Sequence, residues 1–254
     1  MTATAVKATL EHILPLRALW LHEMNCQIRY DACHARGWTD SYLLAIDDVN
    51  VGYGSIKGQE IADRDTVFEF YVVPAFRQWS RLLCRELIRT SGATYIECQS
   101  NDALLSSMLD EFSRDVGADV VLFEDHSVTD CSVAGGVVRP RRRHDQIFEH
   151  AVEPIGEYVL EAGGEIVATA GFMLHYNFPF ADLYMEVRTD RRGRGYGAFV
   201  LQEVKKACYL TGRVPAARTD LQNNASRATL TRAGLRISGF MLTGRIDANM
   251  LGGS

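Results

Sequence analysis

The sequence predicts a tandem of two related α/β domains. Three observations predict it: two hairpins of the same construction, two strand–turn–helix segments at matching spacing, and the same run of elements after each. The hairpins come first. Residues 42–54, YLLAIDDVNVGYG, are an apolar strand, an acidic turn and a second strand with small residues. Residues 158–170, YVLEAGGEIVATA, repeat this with Gly163 and Gly164 at the turn. Tyr42 and Tyr158 lie 116 residues apart, as do Val51 and Val167.

Downstream, TVFEFYVVPAFRQWSRLLCREL faces ADLYMEVRTDRRGRGYGAFVLQEV, with Val72 on Val187 and Arg77 on Arg192, each pair 115 apart. Offsets that agree to one residue over two stretches indicate duplication. A helix is expected from about Arg81 to Arg89 in the first copy and from about Tyr196 to Leu210 in the second, each with an apolar stripe. Strands are expected at 94–99 and 215–221. Each leads into an Asn-containing segment (Asn101; Asn223 and Asn224) that opens another helix, ending near Gly117 or Gly234. The front ends differ. The first copy has about forty residues before its hairpin, with a helical run around Leu14 to Cys33. The second has room only for a basic run and one helical turn at Gln146–Glu149. A joint near residues 128–137 divides the chain into domains 1–130 and 131–254.

Composition narrows the classes. A chain of 254 residues that is 47% hydrophobic supplies one large core or two modest ones. A net charge of −5 lacks the basic footprint of a nucleic-acid binder. The N-terminus lacks a signal-peptide pattern, and no apolar run is long enough for a membrane span, so a cytoplasmic protein is expected. The six cysteines are scattered and expected to be reduced. The seven histidines show no zinc-ligand spacing, so no metal is expected.

The segment that carries chemistry is Arg192-Gly193-Arg194-Gly195-Tyr196-Gly197, between a strand and a helix. A strand feeding a glycine-rich turn into a helix creates an anion site, because the first backbone N–H groups are bare and the macrodipole adds positive charge. Arg191, Arg192 and Arg194 surround the same turn. No GK[ST] follows, and GxGxxG is absent, so neither a Walker A loop nor a dinucleotide fold fits.

The pattern Arg192-xx-Gly195-x-Gly197 is similar to the [R/Q]xxGx[G/A] signature of the GCN5-related N-acetyltransferases. The resemblance covers about residues 137–250 well, including the N…GL segment at 223–235, and about 10–125 weakly. It implies a tandem of GNAT folds, each a mixed, mostly antiparallel sheet flanked by helices. It also implies acetyl-CoA as co-substrate, with its pyrophosphate on Arg192, Gly193, Arg194, Gly195, Tyr196 and Gly197. The pantetheine arm would lie along Met185 to Val187, a main-chain N–H near Val187 would polarise the thioester carbonyl, and Asn223 would lie near the pantetheine. The first copy has Ser80 and Leu82 where the second has Gly195 and Gly197. It resembles the degenerate half of tandem members of the family and is expected to be non-catalytic.

The reaction implied is acetyl transfer to a primary amine of a small molecule or peptide by direct attack. Family members commonly place a carboxylate on or near the strand before the loop. Here Glu186 is the first candidate for the base, then Asp182, with His175 on the acceptor side. Aligning Gly234-Leu235 with the family's closing Gly-Phe puts Leu230 where a tyrosine normally protonates the sulfur, which leaves Tyr184 or a water as donor, an unprotonated thiolate, or poor turnover. The run Arg139, Arg141, Arg142 and Arg143 meets a CoA phosphate, an acidic partner or only solvent. A CoA-binding regulatory protein without turnover stays open beside the enzyme. With so few residues ahead of its hairpin, the second copy is expected to have an open acceptor site or one completed by the first domain or a second subunit, which leaves a homodimer open.

Overall fold

The computed structural model describes residues 2–252 except Val152. In chain order the elements are β1 (Ala3–Ala8), α1 (Leu10–Glu23), α2 (Asp31–Ala35), β2 (Thr39–Ile46), β3 (Val49–Lys57), β4 (Thr66–Val72), α3 (Ser80–Ser91), β5 (Tyr95–Gln99), α4 (Ala103–Phe112) and β6 (Ser113–Asp125). There follow β7 (Val137–Pro140), β8 (Tyr158–Ala162), β9 (Glu165–Met173), β10 (Phe180–Val187), α5 (Tyr196–Leu210), β11 (Val214–Asp220), α6 (Asn224–Arg232) and β12 (Leu235–Ile246).

The chain forms two compact units. One comprises the residues up to Asp119 and those from Phe240 onward, the other Val120–Gly239. The division therefore falls inside β6 and inside β12, not at the loop near 128–137 that composition suggests. Residues 120–130, placed by the sequence in the first domain, belong to the second unit. The last residues, placed in the second, belong to the first. Gly117 does not end a helix: α4 stops at Phe112, and Gly117 lies within the long strand β6.

In the first unit the strand order is β1-β2-β3-β4-β5, followed by the end of β12. All neighbours are antiparallel except β4 and β5. Leu44, Phe70, Leu83, Leu87, Ile96 and Phe112 form its main core. Ile13 and Trp20 of α1 pack with Tyr53 and Tyr71. Here too lies a fully buried carboxylate, Glu69. Arg17 donates to it from Nε at 3.1 Å and from a terminal nitrogen at 2.9 Å, Tyr53 Oη donates at 3.2 Å, and His34 Nε2 lies at 3.1 Å. A charge withdrawn from water is tolerated only with donors on every side, and Glu69 has them.

The second unit runs β7-β8-β9-β10-β11 and then the end of β6. Only β10 and β11 are parallel. Helix α5 covers one face, because Gly197, Val200, Leu201, Val204 and Cys208 recur at helical spacing and are all buried. Its buried Lys205 holds the carbonyls of Ser127 at 2.9 Å and Ala233 at 2.8 Å and pairs with Asp125, fixing α5 against the chain on either side of it. The helical turn expected at Gln146–Glu149 does not form. Residues 141–157 contain no helix or strand among those described.

Candidate functional site

Two strands that part company make the site. β10 pairs with β11 only from Phe180 to Asp182, whereas its pairing with β9 continues to Val187. Beyond Asp182 one edge of β10 is open. Arg188 N–H donates to Val167 O at 2.9 Å, while Val187 stands directly opposite Ala168. That pattern makes Val187 and Ala168 a non-hydrogen-bonded pair, so the N–H and C=O of Val187 point away from β9 into the gap. Arg192 Nε donates to that carbonyl at 3.2 Å. The N–H stays directed at the gap.

After β10, one 3-10 turn at Thr189–Arg191 leads into the glycines. Gly195 is the N-cap of α5 with φ 82°, a left-handed conformation that a side chain makes costly. Gly197 needs to be bare for a different reason. A Cβ there would lie 2.9 Å from Thr229 Cγ2 and 3.1 Å from Met185 Cε. The bare start of α5, the open edge of β10 and α6 enclose a cleft of 460 Å³. Of the residues expected to hold the co-substrate, Met185, Val187, Arg192, Gly193, Gly195, Tyr196, Gly197 and Asn223 line it, and Arg194 does not. Asn223 also caps α6, accepting from Ser226 N–H at 3.0 Å.

The arginines divide by what they already hold. Arg191 is paired with Glu165 at 2.6 Å. Arg192 is bound to Val187 O and lies 3.9 Å from Glu186. Arg139, from the basic run, is taken by Asp145 and Glu161. Arg232 of α6 lines the cleft, its guanidinium 3.6–3.7 Å from where a Cβ of Gly195 would sit. It has no carboxylate partner among the described residues. The sequence reading passes over Arg232, since only the docking of α6 brings it to the loop. No local pattern marks it.

Glu186 is on the cleft wall with its side chain 11% exposed. Both its oxygens accept from the N–H of Ala151, at 3.0 and 3.1 Å. Asp182 and His175 are elsewhere. Asp182 is buried four residues back along β10, about 13 Å at strand rise. His175 is in the β9–β10 connection, its Nε2 3.4 Å from Asp182. Buried Tyr176 adjoins the same pair, and burial pushes its phenol well above the ordinary value. The structure thus separates the three acid–base candidates into Glu186 on the cleft and an Asp182–His175 pair away from it. Leu230 is buried within α6. Tyr184 does not line the cleft. Its ring lies against Gly171, and burial, then Glu157, raises its pKa. Among the described residues no group of three or more His, Cys, Asp or Glu is placed to hold a metal ion, and no helix is long and apolar enough to cross a membrane.

The first unit builds the same ground differently. β4 parts from β5 after Val67, and Arg77 Nε donates to Val72 O at 3.2 Å. But a 3-10 helix, Pro74–Trp79, runs straight into α3 with no left-handed residue between them. Trp79 and Leu82 pack against the core. Arg77 is paired with Glu23, which also accepts from Tyr71 Oη at 2.8 Å.

Residues 124–235 match the model of the acetyltransferase (GNAT) family. An acetyltransferase of the GNAT family from Colwellia psychrerythraea aligns over 97% of this chain and 100% of its own, at 12% identity with a TM-score of 0.70. A tandem GNAT protein from the clavulanic acid biosynthesis pathway aligns over 100% of both chains, at 12% identity with a TM-score of 0.53. These likenesses show the fold. A search of curated proteins found no match.

Proposed function

We propose that this chain is an acetyltransferase of the GNAT family, whose model residues 124–235 match, and that it transfers the acetyl group of acetyl-CoA to a primary amine of a small molecule or peptide. The observation that carries this is the cleft itself, where an open β10 edge meets a bare helix start. The residues fit the co-substrate. The left-handed Gly195 and the side-chain-free Gly197 leave room for a diphosphate against the first N–H groups of α5. Met185 and Val187 offer backbone to an extended pantetheine arm.

In this reading the Val187 N–H donates to the carbonyl oxygen as negative charge grows there. Glu186 takes one proton from the incoming ammonium, the amine nitrogen bonds to the carbonyl carbon, and the C–S bond breaks as the nitrogen's second proton passes, directly or through water, to the departing sulfur. Leu230 of α6 carries no donor for the sulfur. The first unit, whose loop ground is filled by Trp79, Leu82 and the Arg77–Glu23 pair, serves as a non-catalytic partner.

Calorimetry tests the co-substrate. Saturable binding of CoA or acetyl-CoA is expected, and Gly195→Leu with Gly197→Leu should abolish it. Unchanged affinity in that double variant would sink the assignment. The second reading, a CoA-binding regulatory protein, is favoured by the missing donor at Leu230. An acceptor screen that detects thiol release separates the two: binding without release for any amine supports regulation.

A further inference from the structure

Ahead of its hairpin the second copy has no helix among the described residues, and those of 141–157 form an irregular strap. Met185 Cε faces Gly197 of α5, so Glu186 projects from the opposite face of the sheet. Thr169 is paired directly with Glu186 across β9 and β10 and shares that face. The strap is fastened to both. At its start, Asp145 is gripped by Arg139 through two contacts of 2.8 Å. At its end, Arg141 N–H donates to Glu157 O at 2.7 Å. Midway lies His150.

The His150 ring stacks on Phe148 with centroids 4.5 Å apart and an interplanar angle of 13°. Its Nδ1 is 3.0 Å from Phe148 O, and its Nε2 is 2.7 Å from Thr169 Oγ1. A carbonyl only accepts, so Nδ1 carries a hydrogen, and the tautomer with hydrogen on Nδ1 alone has Nε2 accepting from the Thr169 hydroxyl. Thr169 is buried, which makes that bond costly to lose. The next residue, Ala151, gives its N–H to Glu186. Two consecutive strap residues therefore hold two cross-strand partners.

We propose that His150 is a positioning residue for the transfer reaction: by its bond to Thr169 it fixes the strap so that the Ala151 N–H aims the Glu186 carboxylate. His150 touches no reacting atom and acts only through Ala151. The proposal rests on the reading of Glu186 as the base.

Two measurements on the full chain test it. The first needs no acceptor: hydrogen exchange of the Ala151 amide, read by NMR. Protection is expected in the wild type and in Thr169→Ser, and its loss in His150→Ala and Thr169→Val. The second is thiol release from acetyl-CoA with ethanolamine, lysine and spermidine as acceptor probes. His150→Ala and Thr169→Val should lower kcat roughly 10- to 100-fold, the scale of a misplaced catalytic group, with KM for acetyl-CoA within about twofold. Thr169→Ser should restore the rate, and the double variant should be no slower than either single one. An Ala151 amide equally protected in His150→Ala, or a Thr169→Ser variant as slow as Thr169→Val, overturns the proposal. If His150→Ala fails to fold, the threonine pair decides. Wild-type kinetics in Glu186→Gln would sink the base assignment instead. A slow Glu186→Gln beside an unaffected His150→Ala sinks this inference alone.

Discussion

Arg192 donates its Nε–H to the carbonyl oxygen of Val187 at 3.2 Å, and 115 residues earlier Arg77 does the same to Val72 at the same length. In each unit the bond ties the segment after a strand back to that strand's open edge. Its surroundings differ. Around Arg192 the chain goes on into glycines and a cleft, while Arg77 is closed down by Glu23.

The difference makes the first prediction. Arg192→Ala should weaken CoA binding several-fold, because the loop loses its tie to β10 and the cleft loses a cation. Arg77→Ala should leave CoA affinity unchanged and cost at most about 1 kcal/mol of stability, as expected for a partly exposed pair. Ser80→Ala and Leu82→Ala should likewise leave binding untouched. Calorimetry and denaturant melts of the variants check both statements.

Arg232 is a cation on the cleft with no carboxylate partner among the described residues. Arg232→Ala should lower CoA affinity roughly 10- to 100-fold, the scale of a charge-assisted hydrogen bond, and Arg232→Glu should lower it further. If the guanidinium meets the diphosphate, 3′-dephospho-CoA should suffer the same loss as CoA. A loss confined to CoA would place Arg232 on the 3′-phosphate.

Glu186→Gln should cut the transfer rate with little loss of acetyl-CoA binding, and the acidic limb of the rate profile should move or vanish. The Ala151 N–H can still donate to a glutamine oxygen, so the side chain should stay in place. Asp182→Asn and His175→Ala should have much smaller effects, since neither residue lines the cleft. Initial rates against pH for the three variants decide among them.

Four thiols are buried: Cys26, Cys84, Cys98 and Cys208. Burial pushes all four up, Cys98 and Cys208 to about 11 from an ordinary value of 9.0. In the folded chain these acids stay neutral where the unfolded chain has begun to ionise them. Their contribution to stability is therefore complete below about pH 9 and declines as pH rises from there toward 11. Denaturant midpoints measured from pH 8 to 10.5 should fall. Replacing Cys98 and Cys208 by alanine should flatten the fall.

A fragment of residues 131–254 is expected not to fold. It lacks the β6 segment Val120–Glu124, which pairs with β11 from Asp220 to Ala216, and it exposes an unpaired sheet edge. It also carries the end of β12 without β5, its partner in the first unit. A fragment beginning at Ser113 should be more soluble, as judged by gel filtration and circular dichroism.

Much of this architecture was legible because it is local. The hairpins follow from alternation and turn residues, α5 from its apolar spacing, and the bare helix start from glycines between a strand and a helix. The strap is different, since His150 gains its meaning from Thr169 and Ala151 from Glu186, contacts that no periodicity announces. Arg191 and Arg139 look like phosphate ligands in sequence and are neutralised by Glu165, Asp145 and Glu161. The exchange of chain near Gly117 was missed for a related reason: a helix stop and a strand interior both admit glycine.

Because the first unit takes a strand from Phe240 onward, it cannot be finished until the second unit, Val120–Gly239, has already been made. Its β5 edge stays open throughout synthesis of the second unit, so the domain translated first is the last to be completed. A chain stalled before that point would present that edge to its neighbours, and the hazard ends only when Met241–Arg245 arrive to pair with β5.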